Sequence, residues 1–204
     1  ENGNGRAGGV VAYTSNATVA SSYNAGTVTG GRYNAGVVGY CSGTSTVSNC
    51  YNLGTLIGSD SMTESSDNLA CIAGVASGLS DYSASTISNC YNAGALTNLE
   101  KYSRVGAIVS ARGAATLTNC YYLKVEGLKG VGGNGLEEGT AAVNAETLAS
   151  ADMPAKLNAE AYKANTGCGN VAPLLTWQPI PEHSFNAVAS DVERTPATCT
   201  EAAT

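Results

Sequence analysis

Across residues 7–125 the chain runs in short stretches of β-branched and aliphatic residues, each broken within a few positions by Gly, Ser, Thr or Asn. Thr46-Val-Ser-Asn-Cys-Tyr51 alternates polar and apolar with period two, and none of these stretches is long enough for a helix of about ten residues. The pattern predicts short strands. One phrase occurs four times: Thr18-Val-Ala-Ser-Ser-Tyr-Asn-Ala-Gly-Thr-Val28, Thr46-Val-Ser-Asn-Cys-Tyr-Asn-Leu-Gly-Thr-Leu56, Thr86-Ile-Ser-Asn-Cys-Tyr-Asn-Ala-Gly-Ala-Leu96 and Thr116-Leu-Thr-Asn-Cys-Tyr-Tyr-Leu-Lys-Val125. A second phrase precedes each copy: Ala7-Gly-Gly-Val-Val-Ala12, Asn34-Ala-Gly-Val-Val-Gly39, Ile72-Ala-Gly-Val-Ala-Ser77 and Val105-Gly-Ala-Ile-Val-Ser110. The tyrosines at 23, 51, 91 and 121 are 28, 40 and 30 residues apart, so the middle step carries an insertion of the kind surface loops tolerate.

Units of about 30 residues with two or three strands each read as coils of a parallel β-solenoid. The expected fold is all-β: a parallel, right-handed β-helix of about four coils with a small C-terminal helical and strand cap. Equivalent residues in successive coils then stack at the inter-strand spacing of roughly 4.8 Å, and each position becomes a ladder of like side chains. Val19, Val47, Ile87 and Leu117 would form an internal aliphatic ladder, and Asn49, Asn89 and Asn119, ended by Ser22, a corner amide ladder. Tyr23, Tyr51, Tyr91 and Tyr121 would stack, with Gly26, Gly54 and Gly94 at a following corner where φ is expected to be positive.

Seven cysteines form no CxxC pair and no zinc-type spacing. Cys50, Cys90 and Cys120 share one rung position, where a stack of buried thiols is the plainer expectation and disulfides between adjacent coils the alternative. Cys41 and Cys71 fall outside that register, and Cys168 and Cys199 lie beyond the repeats. Residues 126–139, with Gly127, Gly130, Gly132, Gly133, Gly135 and Gly139, read as a connector. Gly130–Gly135 spells GxGxxG, yet no strand leads into it and no helix starts at once, so it reads as a loop rather than a phosphate cradle. Asn144 is a candidate helix N-cap ahead of helices over 145–151 and 154–163, broken near Pro154, and 171–177 reads as a closing strand over the open solenoid end. The expected organisation is therefore solenoid repeats over 1–125, connector and cap over 126–180, and a linker with the start of a following module over 181–204.

Composition narrows the chemistry. Charged residues make up 13% of the 204, about half the usual share, and His183 is the single histidine, so Ser-His, Cys-His and His-metal centres are nearly closed. A net charge of −6 removes the electrostatic footprint of a nucleic-acid binder. No run of 18 apolar residues and no basic-then-apolar leader occurs, and the chain lacks an initiator Met; the expectation is a soluble piece of something larger, with no membrane insertion.

The two phrases together resemble the GLUG-type repeat of bacterial surface and secreted proteins, including IgA-cleaving metallopeptidases and cell-wall-anchored proteins of Gram-positive gut bacteria. The resemblance covers roughly residues 7–125 and departs in the last copy, where Tyr122 and Lys124 replace Asn and Gly. It implies a β-helical accessory module, secreted or cell-wall anchored, with any catalysis in other domains. The helix-then-Pro173-Leu-Leu-Thr-Trp177 ending also looks like the segment that follows such repeats, and His183-Ser-Phe with Ala197-Thr-Cys-Thr-Glu-Ala202 resembles the opening of a Cys-rich repeat of Firmicute surface proteins.

Residue chemistry offers three candidate sites, each set against a plainer reading. Asp60, Glu64 and Asp67 could hold Ca²⁺ on a loop, but match no known calcium spacing and read better as a solvated acidic loop, so no cofactor is expected. Lys101, Arg104 and Arg112 with Asp81 are the best cluster for a glycan-cleaving β-helix, yet no carboxylate pair recurs at rung spacing to serve as acid and base. Tyr82 and Tyr102, in variable loops, could stack on sugars or simply shield the solenoid edge. The function expected is a non-catalytic extracellular stalk or ligand-presenting module. The alternatives are a substrate-holding accessory domain of a secreted peptidase or glycosidase and a glycan-cleaving β-helix. Its expected partners are a host glycan or glycoprotein and neighbouring domains of the same chain, with no nucleic acid.

Overall fold

The computed structural model describes residues 5–60, 69–79, 84–133, 135–167 and 172–181. They form a parallel β-helix whose first three coils each pass in order through five parallel sheets. Sheet 1 stacks Arg6–Gly8, Tyr33–Ala35, Cys71–Ala73 and Arg104–Gly106, and sheet 2 stacks Thr14–Ser15, Val38–Ser42 and Ala76–Leu79. Sheet 3 holds Thr18–Ala20, Thr46–Ser48, Thr86–Ser88 and Thr116–Thr118; sheet 4 holds Tyr23–Asn24, Tyr51–Asn52, Tyr91–Asn92, Cys120–Leu123 and Thr140–Val143. Sheet 5 is shorter, with Val28–Thr29, Leu56–Ile57 and Leu96–Thr97.

Register follows the repeated phrase: Thr18, Thr46, Thr86 and Thr116 lie side by side, as do the four tyrosines. Val19, Val47, Ile87 and Leu117 point inward to a core shared with Val37, Val75 and Ile108, and the burial of each aliphatic side chain stabilises the coil by about 1.5–3 kcal/mol. Asn49, Asn89 and Asn119 turn the chain with φ of 53°, 53° and 50°, in the left-handed region that Asn tolerates better than most residues. Their side-chain amides hand on hydrogen bonds, Asn119 Nδ2 to Asn89 Oδ1 at 3.1 Å and Asn89 Nδ2 to Asn49 Oδ1 at 3.2 Å. The first coil fills this position with Ser21, at φ 48°, rather than the expected Ser22. Pairing of Tyr23 with Tyr51 places Ser22 level with Cys50 and Ser21 level with Asn49.

The glycines after each Tyr-Asn do not take positive φ, contrary to expectation. Gly54 and Gly94 are required by close approach instead: a Cβ there would collide with the carbonyl of the glycine one coil below and with the amide of the asparagine beneath. Those asparagines form a second, buried ladder. Asn24 Nδ2 donates to Asn52 Oδ1 and Asn52 Nδ2 to Asn92 Oδ1, both at 2.8 Å, while each amide also brackets the backbone of the glycine two residues on.

Two features of the C-terminal third differ from the sequence expectation. The connector begins a fifth, partial coil: Val131 is fully buried and bridges Val109, and Thr140–Val143 adds a fifth strand to sheet 4. It lacks the Asn-Cys-Tyr phrase, so its strand is recognisable only by pairing. Its loop closes on itself, because Glu137 accepts hydrogen bonds from the Gly130 and Val131 amides at 2.9 and 3.2 Å and from Thr140 Oγ1 at 3.1 Å.

The second difference is the position of the cap, which lies along the side of the rod and not across its end. Helix α1 (Ala145–Leu148), N-capped by Asn144 through Thr147 N, and α2 (Met153–Leu157), with Pro154 in its first turn, are shorter than predicted. Together with the antiparallel pair Tyr162–Lys163 and Leu174–Leu175 they cover the tyrosine stack. Tyr23–Tyr51 and Tyr51–Tyr91 stack with centroids 5.1 and 4.7 Å apart. The cap is bolted across several coils: Tyr162 Oη donates to Cys50 O and Asn89 O, Tyr51 Oη to Gln178 Oε1, Tyr91 Oη to Pro173 O, and Trp177 Nε1 to Ser21 O. An exposed stack of tyrosines needs such a lateral cover for its ring faces and hydroxyls more than the rod end does.

Candidate functional site

Sheets 1 and 2 meet at a tight corner built from the Ala-Gly-Val-Val phrase. Backbones approach so closely there that a Cβ on Gly39 would lie 2.7 Å from both Ala7 O and Ala12 O. The residues flanking that phrase project outward from the corner. Sheet 1 supplies Arg6, Tyr33, Cys71 and Arg104 in register, and the other side supplies Tyr13, Tyr40 and Gly78.

At the first two coils this produces an aromatic and cationic cluster. The Arg6 guanidinium lies 4.7 Å from the ring centroids of both Tyr13 and Tyr40, which stack at 5.9 Å with 22° between their planes. Tyr33 meets Tyr40 edge-on at 4.8 Å, and the Arg32 guanidinium lies 4.8 Å from the Tyr33 ring. Gly78, one coil on, leaves the space these rings occupy: a Cβ there would strike Tyr40 and lie 2.8 Å from Tyr33 Cδ1. Tyr13 is 46% exposed, and its hydroxyl shares a 3.0 Å hydrogen bond with Ser42 Oγ. Hydrogen bonding from Ser42 and then Ser15 holds the Tyr13 phenol below its ordinary value, whereas burial raises that of Tyr33. Arg6 makes no hydrogen bond or ion pair with the described residues, so its N–H groups face solvent.

The fourth coil carries Arg104 at the same register as Arg6. There it lines a polar cleft of about 750 Å³ with Arg112, Ser103 and Glu138. Arg112 is spent as a brace: it donates to Ala115 O, Leu136 O and Glu138 O, and its guanidinium stands 3.8 Å from the Glu138 carboxylate. Of the predicted cationic cluster, the structure thus brings together Arg104 and Arg112. Lys101 is exposed outside that cleft and Asp81 lies outside the described residues.

Tyr102 corrects its expectation as a sugar platform. It is buried, donates its hydroxyl toward Gly30 O and Gly31 O at 3.2 and 2.8 Å, and accepts from Ser59 N, so it pins the sheet 5 loops together. Burial pushes its phenol up. Tyr82 lies outside the described residues, as do Glu64, Asp67 and His183. Asp60 accepts a 2.7 Å hydrogen bond from Asn98 Nδ2. In the GxGxxG segment the amides of Gly130 and Val131 already hold the Glu137 carboxylate.

Cys41, Cys50, Cys90 and Cys120 are buried free thiols, and Cys71 is buried as well. The rung of three donates to strand carbonyls, Cys50 to Ser48 O and Cys90 to Ser88 O at 3.1 Å and Cys120 to Thr118 O at 3.4 Å. Burial pushes Cys41 up to about 12 and Cys120 up to about 11, so both stay protonated and inert at neutral pH. A second, apolar cleft of about 550 Å³ opens where sheet 5 has no fourth strand, lined by Leu96, Leu99, Val105, Leu123, Val125 and Leu128.

The Arg6–Tyr13–Tyr33–Tyr40 cluster was absent from the sequence-based candidates. Its signal was present in the alignment of the Ala-Gly-Val-Val phrases, whose flanking pairs are Arg6 and Tyr13, then Tyr33 and Tyr40, then Cys71 and Gly78.

No family model matches the chain, and no curated protein matches it. A solved structure of similar fold is that of a candidate immunoglobulin A1 protease from Bacteroides ovatus, with a TM-score of 0.60 and 22% sequence identity. The match covers 86% of this chain and 54% of that one, so the chain spans about half its length. At that identity the likeness establishes a shared fold. No helix among the described residues is long and apolar enough to cross a membrane.

Proposed function

We propose that this chain is a non-catalytic, extracellular β-helix module of a larger bacterial protein that holds a ligand against the corner between sheets 1 and 2. The observation that carries the reading is the Arg6–Tyr13–Tyr33–Tyr40 cluster. Tyr51, Tyr91 and Tyr121 are consumed by the lateral cap and Tyr102 and Tyr122 are buried, whereas Tyr13 and Arg6 remain at the surface of an acidic chain. The rod itself, about 20 Å along its axis by the strand spacing, would set this surface at a fixed distance from neighbouring domains. Repeats of the GLUG type would place the module on a secreted or wall-anchored protein.

The likeness to a candidate protease favours one version of this role: a substrate-holding accessory domain beside a catalytic domain elsewhere in the same protein. The test is binding of the 204-residue chain to an array of glycans, mucins and immunoglobulins, with calcium and again with chelator. A specific hit lost in Tyr13→Ala supports the ligand-holding role, and chelator sensitivity would support a cation held by Asp60, Glu64 and Asp67. Silence from folded, β-rich protein would reduce the module to a spacer.

A further inference from the structure

Resting on the ligand-holding reading, we infer that the ligand is a glycan bearing a carboxylate, gripped by Arg6 and stacked on Tyr13 and Tyr40. Three observations lead there. First, the Arg6 guanidinium leans on two rings at 4.7 Å, which fixes its orientation while its planar fork of donors stays unspent on the described residues. Such a fork matches a carboxylate through two parallel N–H···O bonds. Second, the rings beside it are tyrosines, one of them 46% exposed. The C–H face of a pyranose covers such a ring and releases its water, while the hydroxyls at the ring edge find partners such as Tyr13 Oη and Ser42 Oγ, which lie 3.0 Å apart.

Third, the backbone of the second coil, which carries Tyr33 and Tyr40, is occupied, although the first-coil strands at Arg6 and beside Tyr13 have a partner on one side only among the described residues. Tyr33 pairs with Arg6 on one side and Cys71 on the other, and Tyr40 lies between the Thr14 and Gly78 strands. A peptide strand laid across this corner at the second coil would find its backbone groups without partners, which disfavours recognition by strand addition. Away from that first-coil edge, what the corner offers is ring faces and a positive charge. Arg104 stands three rungs from Arg6 in the same register, roughly 14 Å away by the strand spacing, and offers a second charge to an oligosaccharide that runs along the axis.

The experiment is isothermal titration of the whole chain with 3′-sialyllactose, with trigalacturonic acid, and with lactose as the neutral control. The two acidic probes separate a sialylated glycan from a uronic-acid polymer as the source of the carboxylate. The expected result is that at least one acidic probe binds about tenfold or more tighter than lactose, with an affinity that falls as salt rises. Arg6→Gln should erase that preference and Tyr13→Ala should weaken every sugar, both with the wild-type circular dichroism spectrum and melting temperature. Equal binding of acidic and neutral sugars, or an Arg6→Gln variant that keeps the preference, overturns the inference. Capture of an immunoglobulin or mucin that survives enzymatic removal of its glycans, with no sugar bound, overturns the inference and leaves the ligand-holding reading standing, whereas silence in both overturns both.

Discussion

Asn52→Ala removes the central rung of the buried amide ladder. The side chain is fully buried and makes four hydrogen bonds: Nδ2 donates to Gly54 O at 3.1 Å and to Asn92 Oδ1 at 2.8 Å, and Oδ1 accepts from Gly54 N at 3.1 Å and Asn24 Nδ2 at 2.8 Å. At about 1 kcal/mol net per bond, with the Gly54 carbonyl left buried and without this partner, the substitution costs roughly 3–5 kcal/mol. For a chain of this size that lowers the melting temperature by about 6–20 °C. Asn24→Ala is the internal comparison, because that residue ends the ladder, sits near solvent and bonds to a single neighbouring amide. Its cost should be about 1–2 kcal/mol. Equilibrium urea unfolding followed by both circular dichroism and tyrosine fluorescence measures the two, coincident transitions showing that the unfolding is cooperative enough to compare. An Asn52→Ala chain within 1 kcal/mol of wild type, or equal costs at the two positions, would refute the view that stacked amides hold the coils in register.

Other outcomes follow from the same structure. Glu137→Ala should cost about 1–3 kcal/mol by freeing the Gly130 and Val131 amides, with hydrogen exchange at Val131 rising before that at Val109; unchanged exchange would mean the fifth coil closes by other means. Tyr162→Phe, which deletes the hydroxyl bonded to Cys50 O and Asn89 O, should cost about 1–2 kcal/mol in thermal unfolding and loosen the cap without dissolving the rod. Burial pushes Cys41 and Tyr51 up to about 12 and Cys120 up to about 11, above their ordinary 9.0 and 10.0, so the unfolded chain ionises first. Stability should therefore be full below about pH 9 and fall as pH rises from there toward 12, as pH-jump unfolding would show; a melting temperature flat to pH 11 contradicts it. Iodoacetamide at pH 8 should label Cys41, Cys90 and Cys120 in peptide maps only after urea is added, and labelling of the native rung would contradict their burial.

The rungs were legible because stacking forces like residues into like positions, so Thr46-Val-Ser-Asn-Cys-Tyr51 and its copies declared both strands and register. The chain's first copy misled by one place, since Ser21 and Ser22 are chemically alike and only pairing of Tyr23 with Tyr51 tells them apart. The asparagine that follows the tyrosine in the first three copies was in plain view, yet nothing local distinguishes an amide that stacks inside from one that turns a corner. Glycine was read through φ, its commonest use, where Gly54 and Gly94 serve contact between coils. Long-range placement stayed hidden: no pattern in residues 144–178 says that the cap lies on the tyrosine stack. The corner cluster was readable in principle from the residues bracketing each Ala-Gly-Val-Val phrase, but became a site only once Arg6, Tyr13 and Tyr40 were known to meet in space.

The most direct test of a ligand held at this corner is a chemical-shift map of the ¹⁵N-labelled chain titrated with soluble mucin glycopeptides. Saturable shifts are expected at Arg6, Tyr13, Tyr33 and Tyr40, extending toward Arg104 as the glycan lengthens. Shifts confined to the cap or to the Leu96–Leu128 cleft, or none at all up to millimolar glycopeptide, about the weak end of specific binding, would contradict it.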